Sequence, residues 1–97
     1  MSSRYVYISI GNSDNKLTQS QWSEFCYTVS EVLDCQRHGE WFSLPNAPFQ
    51  NACWCVTILE TKVEGIQLNL RALCRLFNQD SIAWAEAEYS EITPNAQ

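Results

Sequence analysis

Ser81-Ile82-Ala83-Trp84-Ala85-Glu86-Ala87-Glu88-Tyr89-Ser90-Glu91-Ile92 is the stretch on which the fold turns. Alternation sets Ala83, Ala85, Ala87 and Tyr89 against Ile82, Trp84, Glu86 and Glu88, which is the two-residue period of a strand. Helix is its rival, because Ala and Glu both favour helix. Read as a strand, it completes a sheet that the rest of the chain prepares; read as a third helix, it undoes that sheet.

Immediately upstream, Ile66, Leu70, Leu73, Cys74 and Phe77 recur at helical spacing, with Asn78 placed to close the helix as a left-handed cap. Thr61-Lys62-Val63-Glu64 offers a capping box at its start. Before it, Ala52 to Leu59 carries apolar residues on both faces: Ala52, Trp54, Val56 and Ile58 on one, Cys53, Cys55, Thr57 and Leu59 on the other. A central strand is expected. Glu40 to Leu44 reads as a short edge strand halted by Pro45 and Pro48. The connection from Ser43 to Asn51 reads as a rigid two-proline hairpin, with a mobile interaction loop as the alternative.

Toward the N-terminus, Thr18-Gln19-Ser20-Gln21 has capping-box spacing, and Leu17 with Trp22 forms a hydrophobic staple. Trp22, Phe25, Cys26, Val29, Val32 and Leu33 continue that helix along one stripe, to an end near Asp34 or Cys35. Tyr5 to Ile10 alternates Val6, Ile8 and Ile10 against Tyr5, Tyr7 and Ser9. The order strand, helix, strand, strand, helix, strand predicts a ferredoxin-like α+β fold: a four-stranded antiparallel sheet with two helices on one face and the first and third strands central.

The chain has 97 residues, 45% hydrophobic and 18% charged, so residues 1–97 form a single α+β domain with 93–97 as a flexible tail. The net charge of -5 disfavours direct binding to nucleic acid, which calls for an excess of cations. No apolar run reaches membrane-spanning length, and Met1-Ser2-Ser3-Arg4 leads into a strand pattern instead of a signal peptide. A cytoplasmic protein without membrane contact is expected. Five cysteines, an odd number without a secretory signal, point to reduced thiols.

If Val6, Ile8 and Ile10 meet the helices, Tyr5, Tyr7 and Ser9 face away, joined by one set from the central strand and by either the alanines or Trp84 with its glutamates. Such a face is too aromatic for idle exposure, and a seal between two copies outweighs a stacking platform for bases. Tyr5, Tyr7, Trp54, Trp84, Glu86 and Glu88 are therefore the candidate interface residues. Asn12, Ser13, Asp14, Asn15 and Lys16 carry groups for a small polar ligand, although turn chemistry alone accounts for them. His38 beside Arg37, Glu40 and Trp41 reads as a surface histidine before it reads as an acid-base group. The cysteines read as core packing, so no metal, cofactor or catalytic residue is expected.

Tyr5-Val6-Tyr7-Ile8-Ser9-Ile10-Gly11-Asn12-Ser13-Asp14, His38-Gly39-Glu40-Trp41, Gln50-Asn51-Ala52-Cys53-Trp54-Cys55 and Gln79-Asp80-Ser81-Ile82-Ala83-Trp84 together resemble small uncharacterised proteins of actinobacteria and their phages. The resemblance covers nearly the whole chain and brings no assigned activity. It implies a viral, anti-defence protein that acts by binding, in the host cytoplasm.

The leading expectation is a non-catalytic homo-oligomer that holds a small nucleotide-like ligand in a Trp-lined pocket. Trp41, Trp54 or Trp84 would stack on its ring; Arg37, His38 and Lys16 would meet phosphate; Asn12, Asp14 and Asn51 would read hydroxyl or base edges. One alternative is an acidic inhibitor whose Glu86, Glu88 and Glu91 engage a basic host protein. Another is a small enzyme built on His38 with Glu40 or a cysteine.

Overall fold

The structure, a computed structural model, describes residues 2–12, 14–88 and 90–95. Met1, Ser13 of the polar loop, Tyr89 of the last strand pattern, and Ala96 and Gln97 of the tail lie outside the described residues. The elements are β1 (Ser3–Gly11), α1 (Gln19–Val32), β2 (Gln36–Phe42), β3 (Asn51–Leu59), α2 (Glu60–Leu76) and β4 (Ala83–Ala87). All strand pairs are antiparallel, and the sheet order is β2-β3-β1-β4. This is the ferredoxin-like α+β arrangement, with β1 and β3 at the centre.

The strand reading of the last segment holds from Ala83 to Ala87, where β4 pairs with β1 from Ser9↔Ala83 to Tyr5↔Ala87. It is shorter than the sequence pattern, which runs from Ser81 to Ile92. In the other direction β2 is longer than expected, beginning at Gln36 rather than Glu40. Its first residues are polar and all seven are exposed, so no hydrophobic alternation marks them. They are held in the sheet by backbone pairing with β3.

At the start of α1 the capping box is formed: the Gln21 amide donates to Thr18 Oγ1 at 3.1 Å and the Thr18 amide donates to Gln21 Oε1 at 2.8 Å. Leu17 and Trp22 are both buried, as a staple requires. The loop before it is tied by Asn12, whose Oδ1 accepts from the Leu17 amide at 3.1 Å and whose Nδ2 donates to the Leu17 carbonyl at 3.0 Å.

The second capping box does not form. Leu59, the last residue of β3, is the N-cap of α2, so Thr61 already lies within the first turn. The Glu60 amide instead donates to the Ser2 carbonyl at 3.1 Å, which lets the strand run straight into the helix without a side-chain cap. The other end follows expectation: Asn78 has φ 54°, its amide donates to the Arg75 carbonyl, and the Gln79 amide donates to the Cys74 carbonyl at 2.7 Å. This is a Schellman closure with Asn in the left-handed position.

The core lies between the helices and one sheet face. Val6, Ile8 and Ile10 of β1 and Ala52, Trp54, Val56 and Ile58 of β3 meet Trp22, Phe25 and Val29 of α1 and Val63, Ile66, Leu70 and Leu73 of α2. Phe25 stacks on Phe77 with centroids 4.8 Å apart, and Phe42 meets Trp54 edge-on at 5.7 Å. Trp54 is fully buried, and its indole N–H has no hydrogen-bond partner among the described residues. Leaving such a donor unmade costs about 1–3 kcal/mol, less than the gain from burying a ring of that area.

The two helix starts therefore respond differently to the same change. Thr18→Ala is expected to lower unfolding stability by about 1 kcal/mol. Thr61→Ala is expected to leave it within about 0.5 kcal/mol, since only a solvated first-turn side chain is trimmed. Urea denaturation of the two variants measures both.

Candidate functional site

Both helices pack on one face of the sheet, so its other face is open to solvent. The continuous β1–β3 register places Tyr5 opposite Thr57, Tyr7 opposite Cys55 and Ser9 opposite Cys53 on that face. Across β4 the neighbours are Ala87, Ala85 and Ala83. The alanine set of the last strand therefore lines the open face, while Ile82 and Trp84 turn to the helix side and pack against the core.

A bulge in β2 completes this face. Arg37 pairs with Val56 and Gly39 with Cys55, which leaves His38 as an extra residue between them. One extra residue reverses the side-chain alternation beyond it. Trp41 consequently joins Cys53 on the open face, while Glu40 and Phe42 follow Trp54 and Ala52 toward the helices. His38 lies against Tyr5, ring centroids 5.6 Å apart, and its Nε2 is 2.5 Å from Thr57 Oγ1. The result is a surface of Tyr5, Tyr7, His38 and Trp41 around small residues, with Tyr7 45% and Trp41 57% exposed.

The candidate ligand residues are not gathered into one site. His38, Trp41 and Asn51 share the open face. Arg37 turns the other way and donates to Glu40 at 3.1 Å, to Ser30 Oγ at 2.6 Å and to the Ser30 carbonyl. Asn12 is buried and both ends of its amide are committed to Leu17. Asp14 and Lys16 stand at the end of the sheet, where Lys16 Nζ lies 3.3 Å from Asp80 and 3.6 Å from Asp14. Trp54 corrects the expectation of a stacking or interface role, because 0% of it is exposed and no face of its indole is accessible. Its parity with Val56 and Ile58 in β3 sends it into the core.

Of the other interface candidates, Glu86 accepts from Arg4 at 2.6 Å and from the Trp84 indole N–H at 3.1 Å. The indole hydrogen bond and then the Arg4 guanidinium hold its carboxyl below the usual carboxylate range. Glu86 and Trp84 thus lie on the helix side, away from Tyr5 and Tyr7, and Glu88 is exposed just beyond β4. His38 and Glu40 occupy opposite faces, so they form no acid-base pair. Among the described residues, no three His, Cys, Asp or Glu side chains converge as a metal site, and no helix is long and apolar enough to cross a membrane.

Three hollows adjoin these features. Trp41, Leu44, Pro48, Phe49 and Asn51 line an apolar one of about 550 Å³ at the rim of the open face. Asn12, Lys16, Thr18, Pro45 and Gln50 line a polar one of about 360 Å³. Its wall is the hairpin loop, where Gln50 Nε2 donates to the Leu44, Pro45 and Ala47 carbonyls and Ser43 Oγ accepts from the Asn51 amide. A third, of about 470 Å³, runs between α2 and β4 and includes Arg71, Arg75 and Trp84. The sequence reading overlooked both arginines and also Thr57, the partner of His38. Their signal was present for the arginines: two cations four residues apart with no carboxylate at three- or four-residue spacing.

No known protein-family model matches the chain, and no curated protein matches it either.

The cysteines are free and half-buried. Burial pushes the Cys26 thiol up to about 11 and raises Cys35 and Cys74 as well. Tyr7 is raised chiefly by its hydrogen bond with Cys55. For Cys26, whose ordinary value is 9.0, the native state favours the neutral thiol. Its contribution to stability is therefore complete below pH 9 and lost as pH rises toward about 11. Iodoacetamide labelling of Cys26, followed by mass spectrometry, is expected to be very slow at pH 7.5 and to speed up about tenfold per pH unit toward that value, since only the thiolate reacts.

Proposed function

We propose that this protein is a non-catalytic binding protein that self-associates through its open sheet face and sequesters a small nucleotide-like ligand. The observation that carries the reading is the composition of that face: two tyrosines, a histidine and a tryptophan surround cysteines and alanines on the side of the sheet that neither helix covers. Exposed aromatic clusters of this kind mark contact surfaces, and small residues between them let a second sheet approach closely. A two-fold contact would place Tyr7 of each copy against the alanine strip of the other. The resemblance to phage and actinobacterial proteins supplies the setting: a phage-encoded anti-defence protein working in the host cytoplasm.

The alternative of an acidic inhibitor docking on a basic host protein draws less support. Glu86, one of its three carboxylates, is already engaged by Arg4 and Trp84.

Ala85 sits opposite Tyr7 in the middle of the open face. Ala85→Arg is expected to raise the dimer dissociation constant about 100-fold, through two buried like charges, while leaving the circular dichroism spectrum intact. Sedimentation velocity measures this, and a wild-type chain that stays monomeric up to about 1 mM, a concentration at which even weak interfaces associate, would overturn the self-association. Native mass spectrometry of protein purified from infected cells, followed by denaturation, tests the ligand: release of a small molecule at fixed stoichiometry supports sequestration, and a co-purifying host polypeptide in its place supports the inhibitor.

A further inference from the structure

Charge pairing singles out one groove. Of the six cations, Arg4 is held by Glu60 and Glu86 at 2.6 Å, Lys16 by Asp80 at 3.3 Å, Arg37 by Glu40 at 3.1 Å and Lys62 by Asp34 at 2.9 Å. Arg71 and Arg75 alone have no carboxylate within ion-pair distance among the described residues. In a chain of net charge -5, two neighbouring unpaired guanidiniums stand out. They are one helical turn apart on α2, where like charges repel, so the pair costs the helix stability when nothing is bound.

Both arginines line the groove of about 470 Å³ between α2 and β4. Its apolar part comes from Leu70, Ile82 and Trp84, and the Trp84 ring is fixed by its N–H bond to Glu86. The volume falls within the range of small-ligand sites. Asp80 also lines the groove, at an exposed end where Lys16 pairs with both Asp80 and Asp14. The C-terminal end of α2 presents the negative end of its dipole here, about half a charge, which Asn78 and Gln79 cap by closing the carbonyls. Two full positive charges outweigh it.

We infer that this groove is a binding site for a small planar ring bearing a phosphate, the chemistry of a nucleoside monophosphate. The phosphate lies between the guanidiniums of Arg71 and Arg75, whose paired N–H donors match its oxygens, and the ring rests on Trp84 and Ile82. Binding removes the Arg71–Arg75 repulsion, which is a gain available only to an anion. The inference deepens the ligand half of the proposed function and does not require the sheet face to dimerise.

Adenosine 5′-monophosphate, adenosine and inorganic phosphate, each titrated into the purified chain and followed by the arginine Nε–H and tryptophan Nε1–H resonances, provide the test. The expected result is that the monophosphate binds more tightly than either fragment and moves the Arg71, Arg75 and Trp84 signals. The double variant Arg71→Gln/Arg75→Gln, which alters only exposed side chains and so keeps the fold, should weaken binding at least about tenfold. Tyr27→Phe, on the exposed side of α1 and outside all three hollows, should leave it unchanged.

Monophosphate binding that survives the double variant but is lost in Trp41→Ala would overturn the groove and keep the ligand reading, with the ligand on the sheet face. Phosphate alone binding as tightly as the monophosphate would overturn the aromatic half, and adenosine doing so would overturn the anionic half. Absence of binding by all three at several millimolar would overturn the site. A metabolite released from the purified protein in the denaturation experiment would in that case still uphold sequestration.

Discussion

The nine-residue antiparallel pairing of β1 with β3, from Ser3↔Leu59 to Gly11↔Asn51 without a break, governs everything else in this protein. Because side chains alternate along both strands, one register sends Val6, Ile8, Ile10, Trp54, Val56 and Ile58 to the same face. That face must be covered, and the two amphipathic helices cover it. They have no second apolar stripe with which to cover the other. The bare face with Tyr5, Tyr7, Cys53 and Cys55 is thus a direct consequence of the pairing that builds the core.

Around that pair, the edges of the sheet tune what the surfaces present. The bulge at His38 reverses the alternation of β2, so a single extra residue moves Trp41 onto the open face and Phe42 against Trp54. On the opposite edge, β4 contributes alanines outward and Trp84 inward. The same strand therefore provides a flat strip for close approach on one side and the aromatic wall of the α2 groove on the other.

The electrostatics follow a simple economy. An acid-rich chain commits most of its few cations to specific carboxylates, and the Arg4–Glu60–Glu86 cluster ties the start of β1 to α2 and β4. Hydrogen bonding to Glu60, then to Glu86, raises the Arg4 pKa. Among the described residues, the two Arg side chains left without a carboxylate lie on one stretch of α2, beside the groove.

The sequence by itself determined the element order, the central position of β1 and β3, the cap of α1 and the stripe each helix buries, because these depend on local periodicity and on side chains three or four residues apart. Thr18 and Asn78 were legible for that reason. Thr61 was misleading, since a strand running directly into α2, with the Glu60 amide taken by Ser2, is a contact across 58 positions of chain. Only the tertiary structure decided which tryptophan is core and which is surface, that His38 meets Tyr5 and Thr57, and that Arg71 and Arg75 share a groove with Trp84. Each of these depends on sheet register, on a one-residue bulge or on packing between distant elements, and no local pattern in a single chain encodes the space between two elements.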